Sequence, residues 1–386
     1  MREGVAMISQ SFHPQVGGAE RQALELSRAL TELGVPVVVL TRRLPGSRPE
    51  ETIHGVAVRR LPAWGGGLLN SAVFMTACLF WLLGHAEEYR AAHVHLAGSP
   101  ALAAALAARW TGRPALVKLG GGRGIGELAS SSRTLAGRMK LRLLRWLAPR
   151  FVVVTRDLVE ELRQHGLGAA PVEVVPNGVD ARRFAPPSRE EKARLRKELG
   201  WPEAVSLIYV GRFAPEKQLP FFIEAFAPAA RGAPRPAVWT VVGAGPEEAR
   251  LRDAARRLGV AEGLRICATA LDIEKFYAAA DIFVLPSISE GLSNALLEAM
   301  ASGLAVLASR VGGNADAIED GKSGLLFDPR DGAELRSQLE RLLRDPGLVE
   351  SLGREARLEA QRRFSLSVVA QRYVQLYRAG AGGRGA

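Results

Sequence analysis

Short runs of β-branched and apolar residues alternate along this chain with longer helical stretches, and the series is interrupted only once. The first series covers residues 5–9, 35–41, 56–61, 92–96, 115–119, 151–155 and 172–176. Alternation of this kind specifies βαβ units on a parallel sheet. At Phe184-Ala-Pro-Pro-Ser188 two prolines meet a helix start, where Ser188 with Glu191 three residues later forms a capping-box signature. The pattern then resumes at 205–211, 237–243, 264–268, 281–286, 304–309 and 324–328. Two doubly wound parallel-sheet domains in tandem are expected, one over 1–185 and one over 186–363. Sheets of this type bind ligands at the carboxyl ends of their strands, so two facing each other would enclose a cleft with loops from both sides.

Composition agrees with two domains and removes several other classes. The 386 residues suit two domains of roughly 150–200 residues. With 47% hydrophobic and 24% charged residues, disorder, collagen and coiled coil are excluded. Cys78 and Cys267 stand far apart with no CxxC, which supports neither a disulfide framework nor a thiolate metal site and favours a cytoplasmic setting. The N-terminus lacks the apolar core and cleavage site of a secretory signal. The longest apolar stretch, 68–84, falls short of the roughly 20 residues of a spanning helix and reads as buried or interface-lying. A net charge of +11 predicts an affinity for anions without choosing among nucleic acid, anionic lipid and phosphorylated small molecules.

The densest motif runs from Pro286 to Gly303, PSISEGLSNALLEAMASG. A strand ends at Pro286, a loop carries Glu290, and a helix begins near Ser293 with Glu298 about a turn and a half along it. The free N–H groups of that helix start suit a phosphate. Two carboxylates beside a phosphate are better matched to neutral hydroxyl groups, such as those of a ribose and a hexose, and the combination describes a sugar nucleotide. Taken singly, each acid reads equally well as a loop charge or a solvated helix face. Upstream, Gly211-Arg212-Phe-Ala-Pro-Glu-Lys217-Gln218 follows directly on a strand. An Arg fork and a Lys point charge on one such loop suit a diphosphate, though alone they read as two surface charges. In the first half, Gly17-Gly18-Ala19-Glu20 opens a helix after the first strand, where glycines allow close backbone approach to a ligand.

The GGAE turn, the VPNGVD segment at 175–180, the GRxxxxK loop, the VVGAGP turn at 241–246 and the pair Glu290 and Glu298, in this order, resemble retaining glycosyltransferases of family 4 with GT-B fold. The resemblance extends over nearly the whole chain. It implies that Arg212 and Lys217 hold the donor diphosphate, with Gly291, Leu292, Ser293 and Asn294 at the helix start. It places Glu298 on the ribose hydroxyls, Glu290 on the transferred sugar, Gly17 and Gly18 near the diphosphate, and His95 at the reaction centre. His93 remains structural. The implied reaction moves a hexose-type sugar from a nucleoside-diphosphate sugar to an acceptor hydroxyl with retention, in glycan, glycolipid or polysaccharide synthesis, and needs no enzyme nucleophile. The chain has no Asp-x-Asp, so no metal and no cofactor beyond the sugar nucleotide are expected. The tail 364–378 resembles the family's last helix, which returns to the first domain.

Three departures stand out. Gln218 occupies a position where the family usually has Gly. The strand end at 266–270 lacks the Gly common near the base. Lys118-Leu-Gly-Gly-Gly-Arg123-Gly-Ile-Gly126 replaces a short His-Gly turn and is expected to be a flexible acceptor loop, with a plain surface loop as the other reading.

From Arg123 to Arg156 the chain has eight Lys or Arg. Among them Arg138, Lys140, Arg142 and Arg145 interleave with Leu, Met and Trp as in an interfacial helix. Together with Lys118 and Arg123 they form a candidate acceptor or membrane side. That helix, with 68–84, either docks on anionic membrane at the cytoplasmic face to reach a lipid-linked acceptor or packs an ordinary amphipathic face into the core. Nucleic-acid binding is not expected, because aromatics are only 6% and no binding module is present. A GT-B epimerase or a non-catalytic sugar-nucleotide binder is the alternative function, and a test with and without acceptor separates it from transfer.

Overall fold

The computed structural model describes residues 4–14, 17–122, 124, 126–268 and 272–379. The chain forms two compact units, one running to Gly178 and resuming at Leu366, the other Val179–Ser365.

The first unit is built on eight strands: β1 (Gly4–Ser9), β2 (Val37–Arg42), β3 (Glu50–Ile53), β4 (Val56–Leu61), β5 (Tyr89–His95), β6 (Ala115–Leu119), β7 (Arg150–Val153) and β8 (Val172–Val174). Their order is β3-β4-β2-β1-β5-β6-β7-β8, parallel except for the hairpin of β3 on β4. The order reverses between β1 and β5, which is where such a sheet opens a crevice outside its strand ends. Val5, Met7, Ala91, Leu116 and Val152 form one face of this sheet and pack with helices Gly18–Glu32 and Leu366–Ala379. The amide of Gln22 exchanges two hydrogen bonds with the backbone of Gly178, at 2.7 and 3.1 Å, and so anchors the VPNGVD segment.

The second unit has six parallel strands: β9 (Val205–Val210), β10 (Ala237–Val242), β11 (Leu264–Cys267), β12 (Ile282–Leu285), β13 (Ala305–Ser309) and β14 (Leu325–Phe327). They are ordered β11-β10-β9-β12-β13-β14, with the reversal between β9 and β12.

The boundary falls earlier than the proline break at 184–188. Residues from Val179 on pack with the second unit. Val179 bridges Ser365, Phe184 meets Tyr277 edge-on at 5.7 Å, and Arg357 donates to the carbonyls of Ala181 and Phe184. Ser188 does cap the helix Arg189–Glu198, accepting from the Glu191 N–H at 3.1 Å.

The apolar stretch forms the helix Gly67–Gly84, which by length and composition alone is long enough to cross a membrane, contrary to the length argument from sequence. Phe74, Cys78, Trp81 and Leu82 are buried, while Leu68, Leu69 and Phe80 are exposed. Both cysteines are free.

Candidate active site

In the second unit the two loops flanking the reversal carry the predicted charged residues. The loop after β9 is shaped by close backbone contact. The Gly211 N–H donates to Val242 and the Phe213 N–H to Ala244, at 3.0 and 2.9 Å. Gly243 has φ +147° and lies against the Gly211 carbonyl, where a Cβ would collide with that oxygen. Beneath the loop the buried Tyr209 hydroxyl donates to the Arg212 carbonyl at 2.9 Å, and its pKa is pushed up by burial first and by the nearby carboxylates Glu290 and Glu216. The loop ends in a short turn, Pro215–Lys217, followed by Gln218 in the left-handed conformation, φ 55° and ψ 34°.

That turn aims Lys217 at the loop after β12. Its Nζ donates to Glu290 Oε1 at 2.6 Å, the Ser287 hydroxyl donates to the same oxygen at 2.6 Å, and the Ile288 N–H donates to the Glu216 carbonyl at 2.9 Å. Glu290 is nearly buried. Arg212 lies on the same loop with an exposed guanidinium that pairs with Glu216 at 2.9 Å. The helix Asn294–Ala301 follows, N-capped by Ser293, whose hydroxyl accepts from the Leu296 N–H at 3.3 Å. Glu298 is buried on this helix. Gly291 and Leu292 are held by the short helix Gly312–Ala317, where the Gly313 N–H donates to the Gly291 carbonyl at 3.1 Å. One switch point thus carries Arg212, Lys217, Glu290 and the Ser293 helix start, with Glu298 buried on the helix that follows.

In the first unit His95 ends β5, in register with Ser9 of β1 and Lys118 of β6. All three are buried. His93 and His95 stack with ring centres 4.8 Å apart, and His93 Nδ1 is 2.7 Å from the Tyr377 hydroxyl. Lys118 Nζ lies 5.9 Å from the centre of the Tyr373 ring. Among the described residues no acceptor or donor meets the Nε2 atom of either histidine. Burial drives both histidines well below the usual imidazole range, helped by the Lys118 charge, and lowers Lys118 to about 7. Gly17, in extended conformation, precedes the helix that Gly18 begins. A side chain at Gly17 would run into the Glu20 carboxylate.

Lys118 and Leu119 are therefore strand residues rather than part of a flexible loop, and Lys118 is buried rather than turned to a membrane side. Gly120 and Gly121 turn their N–H groups to the Glu127 carboxylate, at 3.4 Å each. Arg123 lies outside the described residues. Helix Leu135–Leu147 buries Leu141 and Leu144 and exposes Leu135, Met139, Leu143 and Trp146, flanked by Arg138, Arg142 and Arg145. Lys140 departs from that outer face because its Nζ reaches back to the Ala97 carbonyl at 2.6 Å. Tyr373 and Tyr377, which cover the histidines, were not foreseen from the sequence. Their one signal is a four-residue spacing of aromatics on the last helix.

Comparison with known proteins agrees with this arrangement. The model for "Glycosyltransferase Family 4" matches residues 16–183, and that for "Glycosyl transferases group 1" matches residues 204–345. A D-inositol 3-phosphate glycosyltransferase of Streptomyces bingchenggensis is 31% identical over 93% of this chain and 85% of its own length. Another, of Catenulispora acidiphila, is 30% identical over 97% and 94%. Among solved structures, Anabaena HepE in complex with UDP superposes with a TM-score of 0.79 at 20% identity, covering 97% of this chain and all of HepE. Sucrose-phosphate synthase from Thermosynechococcus elongatus gives 0.77 at 22% identity over 98% and 99%. With two parallel-sheet α/β units and relatives matching from end to end, this chain has the GT-B fold and belongs to glycosyltransferase family 4.

Proposed function

We propose that the protein transfers a hexose-type sugar from a nucleoside-diphosphate sugar to an acceptor hydroxyl, with retention at the anomeric carbon and without a metal. The observation that carries this reading is the convergence of Lys217 and Ser287 on Glu290 Oε1 at the β9/β12 switch point. In this reading the ammonium of Lys217 serves a phosphate oxygen, and the Glu290 carboxylate, with one oxygen taken by Lys217 and Ser287, accepts from a sugar hydroxyl with the other. Arg212 leaves Glu216 for the diphosphate, the helix start at Ser293 adds N–H groups, and Glu298 takes the ribose hydroxyls. The family resemblance assigns His95 and the turn at Gly17 and Gly18 to the sugar and its diphosphate, and the first unit to the acceptor. Catalysis then consists of positioning the acceptor hydroxyl on the face from which the diphosphate leaves and stabilising that leaving group. HepE binds UDP, and the curated relatives are named for a phosphorylated cyclitol; both favour a sugar nucleotide as donor and a polyol as acceptor.

The test is product analysis by NMR with candidate donors, with and without acceptors. An α-linked product from an α-linked donor, formed in EDTA, supports the reading. An inverted product, or epimerised donor without transfer, refutes it.

A peripheral membrane contact is part of the proposal. Leu135 and Trp146, 78% and 71% exposed, bound an apolar stripe flanked by Arg138, Arg142 and Arg145, and helix Gly67–Gly84 exposes Leu68, Leu69 and Phe80. An apolar stripe bordered by arginine suits the headgroup layer of an anionic bilayer. Co-sedimentation with phosphatidylglycerol vesicles, lost in the Met139→Ser/Trp146→Ser double variant, is expected. Equal sedimentation of both proteins would exclude this face.

A further inference from the structure

The second unit contains a cavity of about 510 Å³ at the edge of its sheet opposite the charged loops. Val205, Asp281 and Leu304 line it, and these residues begin or directly precede the neighbouring strands β9, β12 and β13. The loop of Arg212 leaves the other end of β9, about 17 Å away at the rise of a parallel strand. Open α/β sheets take the ligand of the fold at their carboxyl ends, so a cavity at the amino ends is a separate place. Its volume is that of a small-molecule site.

The wall combines apolar surface with an excess of cations. Pro186, Pro187, Leu304, Leu342, Val349 and Leu358 supply the apolar part. Lys192, Arg196, Arg235, Arg354 and Arg357 stand against Asp281 and Glu350, which leaves three positive charges in excess. Asp281 is already engaged by two of the cations, its Oδ1 accepting from Lys192 Nζ at 2.7 Å and its Oδ2 from Arg196 Nη2 at 2.6 Å. Both of these side chains stay accessible, at 31% and 23%. Arg357 donates to the carbonyls of Ala181, Phe184 and Ala301, so neutral acceptors meet its charge. Arg235 and Arg354 are exposed at the rim and form no ion pair among the described residues. Glu350, one turn before Arg354 on the helix Pro346–Glu359, is exposed and forms none either. A cleft with apolar walls and charges mainly of one sign concentrates its field on what enters. Three excess cations suit a dianionic phosphate monoester better than a singly charged carboxylate, and guanidinium forks match phosphate geometry. The apolar wall gives an organic group somewhere to bury.

We propose that this cavity binds a phosphate monoester with an apolar organic group, its phosphate held by the cations of the wall and its organic group set against the prolines, Val349 and Leu358. The site is distinct from the one for the sugar nucleotide. It stands independently of the donor reading, because none of its residues belongs to the loops after β9 and β12.

Calorimetric titration of the full chain with 1-naphthyl phosphate and with octyl phosphate below its micellar range tests this, against inorganic phosphate, 1-naphthol, 1-octanol and 1-naphthoate. At least one ester is expected to bind tenfold or more tightly than inorganic phosphate and than its parent alcohol. The Arg235→Gln/Arg354→Gln double variant, at exposed positions where folding is preserved, weakens that binding at least fivefold. Val349→Trp, which fills the apolar wall, weakens it at least tenfold, and if that variant does not fold the arginine pair carries the test alone. Arg212→Gln, at the other end of β9, leaves the binding unchanged. The proposal is overturned if neither ester gains tenfold over inorganic phosphate, or if the double variant binds like the wild type. It is overturned equally if Arg212→Gln weakens binding as much as the double variant does, or if 1-naphthoate binds as tightly as 1-naphthyl phosphate.

Discussion

Lys118 is a buried cation on β6 whose near neighbours are imidazoles and phenols rather than a carboxylate, and replacing it by Met gives a sharp stability prediction. Met keeps an unbranched stem of similar volume, so the change removes the amine with little repacking. In the unfolded chain the amine holds its proton up to about 10.5, in the folded chain only up to about 7. Between these values the unfolded state binds one more proton, so the stability of the wild type rises with pH across that window. Below pH 7 both states are protonated and the penalty is at its full size, on the order of 4–5 kcal/mol. The Lys118→Met variant is therefore expected to be several kcal/mol more stable at pH 7, with its advantage shrinking by about 2 kcal/mol by pH 9. The other titratable groups of the cluster stay silent there. His93 and His95 have pKa values pushed down by burial and then by Lys118, and Tyr373 and Tyr377 have theirs pushed up by burial. Urea unfolding read by hydrogen exchange of β5 and β6 peptides reports this unit alone. Parallel pH profiles for the two proteins, or a variant less stable throughout, would refute the reasoning.

Lys217→Met removes the cation facing Glu290, a carboxylate only 8% exposed, and should destabilise the second unit by roughly 3 kcal/mol while lowering turnover at least a hundredfold. Lys217→Arg restores stability more than turnover, as paired unfolding and activity measurements would show. Gln218→Gly relieves a left-handed residue at φ 55°, and after the entropy added to the unfolded chain it should stabilise by about 0.5–1 kcal/mol with activity retained, measured by urea titration.

Much of the architecture was legible because local pattern and tertiary role coincide. Every apolar run read as a strand is one, since strands covered on both faces must be continuously apolar. The exception is β3, whose Glu-Glu-Thr-Ile alternates at an exposed edge and pairs through a turn at His54 and Gly55. The boundary was misplaced because prolines at 186 and 187 mark a loop, whereas membership in a unit is decided by the long-range contacts of Arg357 and Phe184. In the second unit the strand order places two charged loops side by side, so motif residues 73 positions apart, Lys217 and Glu290, meet directly. In the first unit the sequence misled. Register alone puts Lys118 beside His95, and only the returning helix supplies Tyr373 and Tyr377. At Gln218 the residue adopts the left-handed conformation that a Gly would take freely.

The central claim is that the β9/β12 switch point holds the diphosphate and ribose of a sugar nucleotide. Calorimetric titration of UDP, GDP, ADP and TDP into the wild type, Arg212→Gln and Glu298→Ala, in EDTA and then in magnesium, tests it most directly. The account predicts that one of the four binds the wild type in EDTA, unchanged by magnesium, and that each variant weakens it at least tenfold. Binding that requires magnesium, variants that bind like the wild type, or no binding at all would contradict it.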